Sequence, residues 1–82
     1  MKATLDKVRK GCYLTIISLP EGLSKIQLIR LGVSEGERAM CIERLPGGTI
    51  ILQKNRQEIA IGYDLAKKIL ILKEEHEIWR FL

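Results

Sequence analysis

Leu31-Gly32-Val33-Ser34-Glu35-Gly36, a strand-like run over 37–44 and then Leu45-Pro46-Gly47-Gly48 decide the fold of this chain. The glycines at 32 and 36 stop one element and turn the chain into the next, and a second glycine pair sets up a hairpin. Upstream, Ser24 followed by Gln27 has the spacing of a capping box, with Leu23 and Leu28 as the apolar staple around it. Leu23, Ile26 and Ile29, with Leu28 and Leu31, recur at helical spacing. Lys25, Gln27 and Arg30 then fall on the wet side, and Gly32 supplies the left-handed cap. The expectation is a helix over 24–31 whose apolar stripe is committed to the core.

Strands are expected on both sides of that helix. Cys12 to Leu19 is the first, Thr49 to Lys54 and Gln57 to Ile61 form a hairpin around Asn55-Arg56, and Ile69 to Leu72 closes the set. Asp64 is expected to cap a single helical turn through Leu65, Ala66 and Lys67. Thr4 to Val8 reads as a turn of helix, with Leu5 and Val8 against the core. The pattern predicts an all-β protein with one inserted helix, a small five-stranded SH3-like barrel. An OB-like barrel is the alternative, but its helix comes later and the chain is longer.

The 82 residues leave room for one modest core. A chain of this size buries only roughly 60% of its unfolded surface, so a partner or a homo-oligomer is a natural source of added stability. Hydrophobic residues make up 46% but aromatics only 5%, giving an aliphatic, Ile- and Leu-rich interior. Branched side chains of that kind favour pleated sheet. No apolar run reaches the ~18 residues of a membrane span. The start resembles no signal peptide, so the expected location is cytoplasmic, without membrane insertion.

Residues 73–82 change character. They open with Lys73-Glu74-Glu75-His76-Glu77 and finish with Ile78, Trp79, Phe81 and Leu82. The domain is therefore expected over 1–72, with 73–82 a tail that docks on the barrel or on a neighbouring subunit. Outside that tail the charge is twelve cations against seven acids, a net +5. That balance admits nucleic acid or an acidic protein partner. Base stacking wants aromatics among the lysines, and Tyr13 and Tyr63 are the only ones before the tail. Nucleic acid is accordingly the weaker reading.

Enzymatic constellations are missing. One histidine lies in the charged tail without an identifiable partner, and Leu45-Pro46-Gly47-Gly48-Thr49 lacks the lysine and following helix of a phosphate loop. Cys12 and Cys41 are distant in sequence and lack zinc-ligand spacing, so they read as two structural thiols. Glu74, Glu75, His76 and Glu77 read as a solvated run rather than a metal site. No metal, cofactor or catalytic residue is expected.

Gly11, the helix through Leu28, Leu31-Gly32-Val33, Gly36, Pro46-Gly47-Gly48 and Ala66-Lys67-Lys68-Ile69-Leu70-Ile71 together resemble the FeoA family of bacterial ferrous iron uptake. The match covers residues 5–72. The chain departs from the family pattern at Glu35 and Thr49, where prolines are usual, and at Ile26 and Gln27, where arginines are. The resemblance implies a cytosolic accessory protein that docks on the cytoplasmic GTP-binding domain of the FeoB transporter and modulates it. Transition-metal binding attaches to the family as a whole, but such proteins are regulators rather than iron carriers. It also implies kinship with the SH3-like domain of iron-dependent repressors, so a free-standing regulatory module is the alternative. The residues expected to meet a partner are Lys25 and Arg30 with the Leu45, Pro46, Gly47 and Gly48 loop. Ser24, Gln27, Gly32 and Gly36 are expected to be structural.

Overall fold

A computed structural model describes residues 1–74. The elements in chain order are β1 (Lys2–Thr4), a 3₁₀ turn (Leu5–Lys7), β2 (Tyr13–Ser18), α1 (Leu23–Leu31) and β3 (Arg38–Arg44). They continue with β4 (Ile50–Lys54), β5 (Gln57–Ile61), α2 (Tyr63–Ala66) and β6 (Leu70–Lys73). Of the tail expected over 73–82, Lys73 ends β6 and Glu74 pairs with Arg38, while residues 75–82, with the docking expected of them and His76, lie outside those described.

All strands belong to one sheet in the order β1-β6-β2-β3-β4-β5, antiparallel at every pairing. Among the described residues the strands number six rather than the expected five. Lys2, Ala3 and Thr4 pair with Leu72, Ile71 and Leu70, so residues read as a chain start cover the outer edge of β6. The sheet bends at two irregularities, between Ile16 and Ser18 of β2 and between Cys41 and Glu43 of β3. An extra residue at such a point raises the local twist, and here the twist rolls the sheet around one aliphatic core. Leu14 and Ile16, Ala39 and Cys41, Ile50 and Leu52, Ile59 and Ile61, and Ile71 all point inward. Leu5 and Val8 are fully buried as expected, and Arg44 ties their turn to β3 by donating to Val8 O (2.6 Å) and Asp6 O (2.9 Å).

The turns follow the sequence closely. Gly48 N–H donates to Leu45 O (3.1 Å), with Pro46 and Gly47 as the central pair. Proline at the first central position and a positive-φ glycine at the second make a type II turn. Asn55 occupies the left-handed region at the β4–β5 hairpin, as expected of asparagine there. At the end of α1, Val33 N–H donates to Leu28 O (2.9 Å) and Gly32 N–H to Ile29 O (3.0 Å). That pair is a Schellman motif, and Gly32 at φ 100° provides the reversal it needs.

The start of α1 differs from the expectation. The helix begins at Leu23 behind Gly22, with no side-chain cap. Ser24 lies inside the first turn and Gln27 is exposed, so the expected capping box is not formed. Gly22 reverses the chain with φ 85° directly after Pro20-Glu21, which starts the helix one residue early and removes Ser24 from the capping position. Asp64 is displaced in the same way. Gly62 precedes α2, and Asp64 sits in its first turn, paired with Lys67 at 3.6 Å. An acidic residue there still meets the positive end of the backbone dipoles.

Candidate functional site

The apolar residues of α1 point the wrong way for a core helix. Only Leu28 is buried, at 0% exposure, with Val33 just beyond the helix beside it. Leu23, Ile26, Ile29 and Leu31 are 69%, 50%, 47% and 47% exposed. At 100° per residue, Leu23, Ile26 and Arg30 share the face opposite Leu28, while Ile29 and Leu31 flank it. This corrects the expected orientation, in which the stripe lay on the core.

The polar residues explain the rotation. Lys25 is half-buried between Glu21 (3.9 Å) and Glu35 (3.8 Å), and Glu35 also accepts from Leu19 N–H (3.2 Å). Lys25 is therefore a strut on the inner flank of α1 rather than an outward charge. Arg30 does stand on the outer face, exposed among the leucines and isoleucines. At the other end, Lys54 Nζ donates to Gly32 O (2.9 Å) and Gln57 Nε2 to Leu31 O (3.2 Å). A cation on the last carbonyls of a helix answers its negative end. Lys54 also pairs with Glu37, and that hydrogen bond holds the Glu37 carboxyl below its usual range, assisted by Ser34. The β4–β5 hairpin thus grips the C-terminus of α1.

The loop expected beside α1 lies elsewhere. Lys54 and Gln57 are at the hairpin end of β4 and β5, whereas Leu45–Gly48 precedes Ile50, at the far end of the same strands. There the loop meets α2. A Cβ on Gly48 would lie 2.9 Å from Tyr63 Cδ1, so glycine is required for the approach. Leu45 and Tyr63 are both exposed, and Lys67 Nζ stands 5.3 Å from the Tyr63 ring centroid. Five residues of strand separate this patch from α1, a span of roughly 15 Å. The expected set of Lys25, Arg30, Leu45, Pro46, Gly47 and Gly48 therefore divides between two places.

Nothing among the described residues forms a group of three or more His, Cys, Asp or Glu able to hold a metal ion. None of the described helices is long and apolar enough to cross a membrane. The FeoA domain family model matches residues 3–73. The chain belongs to the FeoA family. That family is associated with iron uptake, and the match runs from the edge strand β1 to the end of β6.

Solved structures agree. A crystal structure described as an iron uptake regulatory protein (FeoA) superposes with TM-score 0.80 at 25% identity, covering 90% of this chain and all of that one. A FeoA-like protein from Clostridium acetobutylicum gives 0.75 at 21% identity, covering 93% and 94%. A manganese-dependent transcriptional repressor shares the fold at TM-score 0.78 and 17% identity, with 89% of this chain on 42% of that one. The FeoA fold is thus the SH3-like fold also carried by that longer repressor. A search of curated proteins by sequence gives no match.

The outward residues Leu23, Ile26, Ile29 and Leu31 were misread because apolar side chains occur nearly all round this helix, so periodicity alone assigns no inner face. The usable signal was Lys25 with Glu35, a pair that closes across the turn after α1 when Lys25 turns inward.

Proposed function

We propose that this FeoA-family chain is a cytoplasmic accessory protein of ferrous iron uptake. It acts by docking on the cytoplasmic GTP-binding domain of a FeoB-type membrane transporter. The supporting observation is the outward apolar face of α1, four large aliphatic residues around Arg30 on a helix held from behind by Leu28, Lys25 and the β4–β5 hairpin. A rigid helix that presents large aliphatic side chains outward suits insertion into a groove. Its aliphatic side chains supply burial, at about 1 kcal/mol for each half-exposed residue covered. Arginine at the centre of such a patch is a frequent energetic anchor. The Leu45–Gly48 loop with Tyr63 is a second, smaller contact for the same large partner.

The test is binding of the purified chain to the transporter's soluble cytoplasmic domain, with GDP and with a GTP analogue. Ile26→Asp with Leu23→Ser should abolish binding while leaving the circular dichroism spectrum intact. Unchanged affinity for that variant rejects α1 as the docking face. Salt-steep binding of single-stranded RNA, with none to the transporter domain, replaces the reading with a nucleic-acid one. A mass that rises with concentration and falls in the double variant assigns the face to self-association.

A further inference from the structure

Cys12 and Cys41, distant in sequence, face each other across the β2–β3 ladder. Cys12 N–H closes a turn on Arg9 O (3.2 Å), and Gly11 inside that turn has φ +88°. Gly11 N–H then donates to Cys41 O (2.6 Å), and Cys41 N–H donates to Cys12 O (2.9 Å). This is a glycine bulge in which Gly11 and Cys12 together oppose Cys41. The register runs on through Tyr13↔Met40 and Leu14↔Ala39, so Cys12 shares the inward face with Leu14 as Cys41 does with Ala39. Cys12 packs against the core from its rim, and Cys41 is fully buried within it.

Facing residues on an antiparallel pair hold their Cβ atoms about 4.5–5.5 Å apart. A disulfide needs about 3.5–4.5 Å. Closure therefore asks for roughly 1 Å of approach, at a bulge where the ladder is already irregular. A bond closed under that slight strain is of the readily reduced kind.

The two thiols are not equivalent. Cys12 lines an open cleft of about 510 Å³ with Met1, Arg9, Lys10, Gly11, Lys73 and Glu74. Of the nearby acids among the described residues, Glu74 is held by Arg38 in a two-point contact and Glu43 faces Lys10 at 3.4 Å. Arg9 and Lys73 add two further cations, so the described lining of the cleft presents net positive charge to a small anion. Cys41 has no such access. Burial pushes its thiol up, and its Sγ donates to Glu43 O (3.6 Å), so it stays protonated until an electrophile is placed beside it.

We infer that Cys12 and Cys41 are a reversible thiol–disulfide pair, oxidised through the basic cleft by a small anionic disulfide of the glutathione class. The Cys12 thiolate attacks one sulfur of the small disulfide, forming a mixed disulfide and releasing one small thiolate. Cys41 sulfur then attacks the Cys12 sulfur, its proton passing to the second small thiolate as that leaves. Two protein thiols become one disulfide, and the small disulfide becomes two thiols. The bond ties the strand that leads into α1 to the strand that leaves it, so this oxidation brackets the proposed docking helix.

The test treats the folded chain with oxidised glutathione and follows intact mass and non-reducing peptide maps. A transient adduct should give way to a monomer lighter by two hydrogens, with Cys12 linked to Cys41 and both thiols restored by dithiothreitol. Cys41→Ser should stop at the Cys12 adduct, and Cys41→Ala, which buries no hydroxyl, gives the same readout where serine disturbs the core. Cys12→Ser should remain unmodified while folded. The anionic disulfide should react faster than cationic cystamine, with the difference shrinking in high salt. Wild type that stays unmodified, stops at the adduct, or forms an intermolecular dimer overturns the inference.

Discussion

Replacing Leu28 and Ile26 by alanine, one at a time, tests the reading of α1 most directly. The two residues lie two positions apart on one helix and differ in little but direction. Leu28 is fully buried, so Leu28→Ala loses a whole side chain of packing and leaves a cavity, a change that costs about 2–5 kcal/mol. A chain of this length has a total stability of roughly 4–12 kcal/mol, so that loss is a large share of it. Ile26 is half exposed. Full burial of an isoleucine is worth about 1.5–3 kcal/mol, so its truncation forfeits about 1 kcal/mol. The better helix propensity of alanine returns roughly 0.5 kcal/mol of that. Urea melts followed by circular dichroism should place Leu28→Ala far below wild type and Ile26→Ala close to it. Binding should show the reverse, since only Ile26 faces the proposed partner. The reasoning fails if Ile26→Ala destabilises the fold as much as Leu28→Ala, because the stripe would then be packed on the core.

Three further outcomes are expected. Gly48→Ala should cost about 1–3 kcal/mol in thermal melts, from the left-handed backbone and the clash with Tyr63; a Tyr63→Ala background should recover only the clash. Ser24→Ala should change stability by less than about 0.5 kcal/mol, and a loss near 1 kcal/mol would restore the hydroxyl as a cap. Glu37 has a lowered folded-state pKa, so its contribution is complete above the unfolded carboxylate range near 4.5 and is lost as pH falls through the lowered value. Glu37→Gln should therefore flatten the acid limb of a stability–pH curve below about pH 4.5, and an unchanged limb contradicts the Lys54 pairing.

What sequence reveals here depends on how local the cause is. Gly32, Gly36, Asn55 and the Pro46-Gly47 turn were legible because a backbone dihedral demands a particular residue at each. The strands around them were legible for the same reason, since their ends are set by those turns. Ser24 was misread because its capping role depends on where Gly22 reverses the chain, one residue away from the pattern that suggests it. The edge strand β1 was missed because three residues carry too little periodicity, and only the open side of β6 gives them a place. The direction of α1 and the meeting of Cys12 with Cys41 are set by tertiary register, which no local window contains.

The β2–β3 ladder joins strands that are already antiparallel neighbours, and Gly36 N–H still reaches Ile16 O (2.7 Å) beyond its last paired residues. A tight turn would have sufficed to link them. Residues 19–35 are thus an insertion at the tip of a hairpin rather than part of the frame, anchored by Leu19, Leu28, Val33 and a few polar ties. Mutational drift on the outer surface of that insertion leaves all five strand pairings untouched. The outer face of the insertion is free to change while the sheet stays recognisable at low identity.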